Sequence, residues 1–142
     1  MFRFFLLVLL FSIILVEYLP DALALDALER TPIESPRLVN AFGNPVFEHV
    51  NVNQQVQISA DITNMQAVTQ PFVYIVQIRD ETDTIISLSW ISGSLISGQS
   101  FSPALSWIPT NTGTFTAKIL VWENMKDADA LSEPAEIKIT SS

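Results

Sequence analysis

The chain has 142 residues with 7 basic and 15 acidic side chains, a net charge of −8 and no cysteine. This length suits one domain and is short for two. An acidic chain lacks the clustered Lys and Arg that nucleic acids and anionic membranes attract, so the composition argues against both as partners. Without cysteine the chain can form neither a disulfide nor a lipid-modified cysteine.

The N-terminus predicts a secretory signal peptide over residues 1–24. Arg3 precedes an apolar run, Phe4 to Val16, which is roughly 20 Å long as a helix and short for a bilayer core of about 30 Å. Pro20 and then Ala22-Leu23-Ala24 follow, a helix breaker and a small-residue cleavage pattern. We therefore expect a secreted protein, extracellular or associated with the cell surface. An uncleaved membrane anchor is the alternative.

The next segment, residues 25–36, is polar and carries Pro32 and Pro36. Such composition is typical of an extended linker, so we expect one folded domain over residues 37–142.

Apolar and polar side chains alternate along short segments after this linker, which is the pattern of β-strands with one buried face. A first strand is expected from Arg37 to Val50, broken at Gly43-Asn44-Pro45, and Pro103 marks a later strand; because proline removes a ladder donor, both should be edge strands. The positions predicted to face the core are Val56, Ile58, Ala60 and Ile62; Tyr74, Val76 and Ile78; Ile86, Leu88 and Trp90; Phe101, Leu105 and Trp107; Phe115, Ala117, Ile119 and Val121; and Ile137 and Ile139.

These segments amount to about seven short strands, with turn residues between them and no convincing helix after the signal peptide. The sequence therefore predicts an all-β fold, an immunoglobulin-like antiparallel β-sandwich preceded by a signal helix. A small β-barrel would show the same alternation and is the alternative.

Apolar residues also occur at positions that should face outward. In immunoglobulin topology the third strand lies beside the sixth, which would bring outward apolar residues of both strands together. A contiguous apolar patch on a solvent face is typical of an interaction site. The residues expected to form this patch are Val73, Ile75, Leu120 and Trp122, with Ile85 and Ile91 on the next strand as further members. Two alternatives are that the linker covers the patch or that the face assignment is wrong by one residue.

Three motifs resemble a known family pattern. They are an L-x-x-G-x-S turn at Leu95–Ser100, the Trp107-Ile-Pro109 step, and Gly113-Thr-Phe115. They resemble CARDB-type and fibronectin-III-like modules of secreted prokaryotic proteins, and the chain is similar to single-module secreted proteins of ammonia-oxidising archaea. The resemblance implies the sandwich fold and a role as a spacer, adhesion unit or assembly unit. Phe115 stands where many relatives have tyrosine, so a tyrosine-corner hydrogen bond is not expected there.

No group of residues predicts catalysis or a cofactor. His49 is the only histidine, which excludes a blue-copper site and leaves no other base for a hydrolytic triad. Asp80, Glu81 and Asp83 could bind calcium weakly, but a solvated hairpin turn explains them as well. We therefore expect no enzyme activity, no cofactor and no metal.

The sequence thus predicts a secreted binding or structural module that contacts an extracellular or envelope protein, or a second copy of itself. A free sheet edge near Pro45 or Pro103 offers a further route, by strand addition. The alternative is a carbohydrate- or ligand-binding module in which Trp90, Trp107 or Trp122 is a stacking platform. Exposed rings in a polar groove would favour a sugar, whereas one ring inside an apolar patch would favour a protein.

Overall fold

The computed structural model describes residues 25–142, so the predicted signal peptide and its helix, residues 1–24, lie outside the described residues. The described chain folds as two β-sheets, one of four strands and one of five. Its only helical segment between residues 25 and 142 is a single 3₁₀ turn at Ala27–Glu29. In that same range no helix combines the length and the apolar character needed to cross a membrane.

Nine strands form the two sheets. Their order is β1-β3-β6 with β7 also paired to β3 in the first sheet, and β2-β9-β8-β4-β5 in the second. All pairs are antiparallel except β2 with β9. The bounds are β1 Ile33–Val39, β2 His49–Val50, β3 Val56–Thr63, β4 Gln70–Arg79, β5 Ile85–Leu95, β6 Ser100–Phe101, β7 Ala104–Trp107, β8 Gly113–Trp122 and β9 Ala135–Ser141.

The core lies between the two sheets and contains most of the residues predicted to face it. The alternation along β8 and β9 is confirmed, and polar residues such as Lys138 stay at the surface. Along β3 and β4 the residues predicted to point inward lie in the core, but Ser59, Val73 and Ile75, predicted to point outward, are buried as well. The proline-marked strands β1 and β7 lie at the edges of the first sheet, as predicted. The predicted residues found in the core are Val56, Ile58, Ala60, Ile62, Tyr74, Val76, Ile78, Trp107, Phe115, Ala117, Ile119, Val121, Ile137 and Ile139.

The N-terminal part of the domain differs from the prediction. One broken strand was expected from Arg37 to Val50, but β1 pairs with β3 in one sheet and β2 pairs with β9 in the other. A turn around Gly43, whose φ is +80°, lets the chain change sheets; glycine adopts this conformation without a steric cost. Residues 33–36, the last part of the predicted linker, begin β1 despite the bulge next to Pro36.

The predicted orientation of β5 is also wrong. Trp90 and Leu88 lie opposite Ile75 and Gln77 of β4, on the solvent face of the five-stranded sheet, whereas Ser89 lies opposite the core residue Val76. Ile86, also predicted to be inward, is about half exposed beside a register shift. The inner face of this edge strand instead carries Ser87 and Ser89, which are half-buried, and ends at Leu95, which belongs to the core.

Candidate interaction surface

The four residues predicted to form an interaction patch lie side by side on the outer face of the five-stranded sheet. Val73 of β4 is opposite Trp122 of β8, and Ile75 is opposite Leu120. Their neighbours along β4, such as Tyr74, belong to the core. The face assignment is therefore correct, and the alternative of a one-residue error is excluded.

Two residues that sequence reasoning placed inside extend this group to the sheet edge. Trp90 lies opposite Ile75, and Leu88 is two residues before it on the same face of β5. Ile91, proposed as a patch member, lies opposite Tyr74 on the inner face instead, while Ile85 lies opposite Arg79. We call the resulting set the outer apolar cluster; it comprises Val73, Ile75, Leu88, Trp90, Leu120 and Trp122.

Exposure within the outer apolar cluster increases toward the edge strand. Val73 and Ile75 are each only 2 % exposed; Ile75 lies between Trp90 and Leu120, and Val73 lies between Ser92 and Trp122. Leu120 and Trp122 are half-buried. Leu88 is 49 % exposed and Trp90 is 54 % exposed. The surface that a partner could reach is therefore mainly on β5, one strand farther than the sequence indicated.

The N-terminal segment lies away from the outer apolar cluster wherever its hydrogen bonds are described. Arg30 forms an ion pair with Asp129 at 3.0 Å, and its carbonyl accepts from the amide of Met65. Thr31 donates its amide to the carbonyl of Leu131, in the loop before β9. These contacts hold the segment at the loops at one end of the sandwich, which argues against the alternative that it covers the cluster.

The three tryptophans occupy different environments. Trp107 is in the core and its ring meets Phe115 edge-on, with centroids 5.2 Å apart and planes at 67°. Trp122 is half-buried between β4 and the loop after β8, where it bridges to Ala130. Only Trp90 of the three presents most of a ring to solvent, and it does so inside the outer apolar cluster.

A shallow depression of about 410 Å³ adjoins Trp90 at one end of the outer face. Val73 and Met125 contribute apolar walls, and Glu123 and Asn124 contribute polar groups from the loop after β8. The depression is thus mixed in character, with one aromatic ring on its wall.

The edge strand β5 carries no charge. The stretch from Thr84 to Ala117 contains no Asp, Glu, Lys or Arg, and it spans β5, β6, β7 and the start of β8. Edge strands are usually protected by charged residues, prolines, bulges or short length. β1 has Pro36, Arg37 and a bulge; β2 and β6 have two residues each, and Pro103 precedes the short β7. β5 has 11 residues without proline or charge.

The acidic hairpin between β4 and β5 is organised as a turn. One carboxylate oxygen of Asp80 accepts hydrogen bonds from the amides of Thr82 and Thr84 and from the Thr82 hydroxyl, at 2.7–3.0 Å. The Thr82 hydroxyl bond is the main reason that the pKa of Asp80 lies below its usual value. Asp83 has a φ of +63° and pairs with Arg79. This geometry favours the turn interpretation over a calcium loop.

His49 lies on β2, where its ring bonds the Ser142 hydroxyl at 2.7 Å. Within residues 25–142, no three His, Cys, Asp or Glu side chains come together as metal ligands could.

Solved structures with a similar fold include immunoglobulin-like modules. The C-terminal domain of wzt superposes with a TM-score of 0.67 at 12% identity, covering 82% of this chain and 76% of that one. A CARDB domain from Pyrococcus furiosus, described in complex with di-metal ions, gives a TM-score of 0.51 at 16% identity over 78% of this chain and 89% of that chain. The predicted likeness to CARDB-type modules is confirmed at the level of the fold.

A third similar structure is a cycloisomaltooligosaccharide glucanotransferase from Paenibacillus sp., with a TM-score of 0.60 at 16% identity. The match covers 79% of this chain but only 14% of that enzyme. No curated protein matches the chain.

A family model does match. The model described as "SlaA-like: S-layer A-like" aligns with residues 30–140, which include all nine strands except Ser141, the last residue of β9. Together with the immunoglobulin-like fold, this match indicates a surface or structural module with a cell-surface or extracellular location. The chain belongs to the S-layer A-like family.

Proposed function

We propose that this chain is a secreted, non-catalytic module that binds other proteins at the cell surface and so contributes to a surface assembly. The observation that carries the proposal is the outer apolar cluster, in which Trp90 and Leu88 remain about half exposed at a sheet edge. Exposed apolar groups of this kind tend to mark protein contacts, and a tryptophan is a frequent hot spot. Membership of the S-layer A-like family supports the location.

The charge distribution supports a protein partner. The chain carries a net charge of −8, so nearly every surface repels other acidic molecules to some degree. β5, β6 and β7 contain no charged residue, so the desolvation of charged groups costs least at the β5 edge. Absence of catalysis remains part of the proposal, and it is supported by a sequence with a single histidine and no cysteine.

The test measures retention at the cell surface. Tagged wild-type protein and a Leu88→Ser/Trp90→Ser variant are expressed in the native cells, and surface and medium fractions are compared. We expect the wild type in the surface fraction and the double variant released at least several-fold more into the medium. Phe42→Ser is the matched control, since Phe42 is apolar and 89% exposed but lies in the turn after β1. Equal retention of all three, or wild type found only inside cells, would contradict the proposal.

A second candidate function, carbohydrate binding, is favoured by the depression beside Trp90, because Glu123 and Asn124 could hydrogen-bond hydroxyl groups next to an aromatic ring. Titration with neutral mono- and oligosaccharides, followed by tryptophan fluorescence, tests it. A saturable change that Asn124→Ala abolishes would support this function over the first; a flat titration would remove it.

A further inference from the structure

We propose that β5 pairs antiparallel with β5 of a second copy of this chain, joining two five-stranded sheets into one. This inference rests on the proposed function, since it names the partner of the same apolar region. It also specifies what that proposal leaves open: the atoms that bond, the direction and the register.

The backbone of β5 has groups available for such a bond. Leu131 donates its amide to the carbonyl of Val121 at 2.9 Å, so Val121 points its backbone groups away from β4. Because these groups alternate in direction along a strand, Leu120 and Trp122 bond to β4. Their partners on β4, Ile75 and Val73, therefore direct their own backbone groups toward β8.

The same alternation determines the direction of the backbone amides and carbonyls of β5. Ile75 and Val73 direct their groups to β8, so Tyr74 and Val76 direct theirs to β5. Their partners Ile91 and Ser89 are thereby bonded within the sheet. The amides and carbonyls of Leu88, Trp90 and Ser92 point to the other side, where no strand of residues 25–142 pairs with them.

The uncharged edge permits pairing between two copies, and charge selects the direction of the pair. Two copies that each carry −8 repel one another unless they meet through an uncharged surface, and β5 provides one. In a parallel pair the acidic hairpins at Asp80–Asp83 would lie together. In an antiparallel pair they lie at opposite ends, separated by the length of the strand, about 35 Å for 11 residues at ~3.3 Å each.

The apolar side chains select the register. When Ser89 lies opposite Ser89 of the second copy, Leu88 of each chain faces Trp90 of the other on the outer face. A pair centred on Trp90, shifted by two residues, would instead place Leu88 opposite Ser92. The Ser89-centred register therefore buries both exposed residues of the outer apolar cluster against apolar partners, and such cross-strand pairs stabilise a sheet.

The first experiment measures association. Sedimentation velocity of the full chain from about 1 μM to about 1 mM should show a monomer–dimer equilibrium. Leu88→Lys, which puts two like charges at the interface between the two β5 strands, should raise the dissociation constant at least tenfold. Phe47→Lys is the matched control: Phe47 is 90% exposed and just precedes β2, at the far edge of the same sheet, and it should change the constant less than twofold.

The second experiment tests register and does not depend on the lysine variant being folded. The chain has no cysteine, so Ser89→Cys introduces a single thiol. In the proposed pair the two thiols are directly opposite, with Cα atoms about 4.5–5.5 Å apart, and mild oxidation should cross-link most of the protein. In Ser87→Cys, on the same face of the same strand, the two thiols lie four residues out of register and should not cross-link.

Three results would overturn the inference: a monomer at all concentrations, equal effects of Leu88→Lys and Phe47→Lys, or cross-linking of Ser87→Cys but not of Ser89→Cys. A monomer would mean that another segment or another protein covers β5. Surface retention of such a monomer would leave the proposed function intact, whereas a dimer that is absent from the surface would refute that function alone.

Discussion

The hydroxyl of Tyr74 on β4 donates a hydrogen bond to the carbonyl of Ile58 on β3 at 3.2 Å, across the core from one sheet to the other. Tyr74 is fully buried. A tyrosine-corner bond is unavailable at Phe115, and this bond provides a different link between the sheets. Burial raises the pKa of Tyr74 well above its ordinary value, so the neutral hydroxyl is the form that the fold requires.

Tyr74→Phe should lower the free energy of unfolding by about 1 kcal/mol, the usual net value of a buried hydrogen bond. Chemical denaturation at neutral pH measures this loss. A wild-type-like stability would mean that the hydroxyl contributes nothing to holding the sheets together.

We also expect the stability difference between wild type and this variant to depend on pH. Because the pKa of Tyr74 is higher in the folded state, its contribution is fully present below the pKa of an unfolded tyrosine, about 10, and is lost as the pH rises above it. The stability difference between wild type and Tyr74→Phe should therefore be constant from neutral pH to about pH 9 and shrink above about pH 10. A difference that grows in alkali would contradict the assignment.

Trp107→Ala should destabilise the fold by about 3–5 kcal/mol, because it removes a buried ring and its edge-on contact with Phe115. Thermal and denaturant unfolding measure the change. A loss below about 1 kcal/mol would place Trp107 outside the core.

Trp90→Ser should leave the unfolding free energy of the monomer within about 1 kcal/mol of the wild type, since more than half of Trp90 is already exposed. Measurement at low protein concentration keeps association out of the comparison. A loss as large as that of Trp107→Ala would mean that Trp90 faces the core, as the alternation alone had indicated.

Asp61→Asn tests the ion pair between Asp61 of β3 and Arg37 of the edge strand β1. A hydrogen bond from Arg37 at 2.9 Å and a second from the Ser102 hydroxyl hold the pKa of Asp61 below its usual value. A lowered pKa stabilises the fold above the unfolded value, about 3.9, and this contribution disappears as the pH falls below it. Because the pair is partly exposed, the variant should lose less than about 1 kcal/mol at neutral pH. The loss should shrink as the pH falls below that unfolded value and disappear once the carboxyl of the folded protein is protonated; a loss that stays constant on acidification would exclude the ion pair as its cause.

The sequence predicts the central strands well because their two faces differ. Along β8, Phe115 and Ile119 alternate with Thr116 and Lys118, and only one orientation keeps the lysine in water. The same contrast places Val73 and Ile75 beside Trp122 and Leu120 correctly, since the neighbouring strands follow from the topology.

The orientation of β5 was predicted wrongly because the two faces of this edge strand do not differ in the usual way. In β5, Trp90 and Leu88 alternate with serines, and the hydrophobic effect alone favours turning the apolar residues inward. Ser87 and Ser89 face the core side instead, on the same face as Leu95, so β5 joins the core mainly through its C-terminal end. The chain's uncharged run from Thr84 to Ala117 was the available sign that this edge is unusual.

The N-terminal error has a different cause. Nothing in the residues from Arg37 to Val50 states that the chain will leave one sheet and pair with another strand more than 80 positions away. The parallel pairing of His49 with Thr140 depends on where β9 ends, and that is a property of the completed fold.

That parallel pairing determines how the module bears mechanical load. Hydrogen bonds join Thr140 to Glu48, Ser142 to Val50 and Val52 to Ser142 at 2.8–3.1 Å. A pull on β2 from its N-terminal side and on β9 from its C-terminal side acts along these two strands in opposite senses, so the bonds are sheared together instead of being unzipped one at a time. Between these two points, the strands can separate only when all three hydrogen bonds break together.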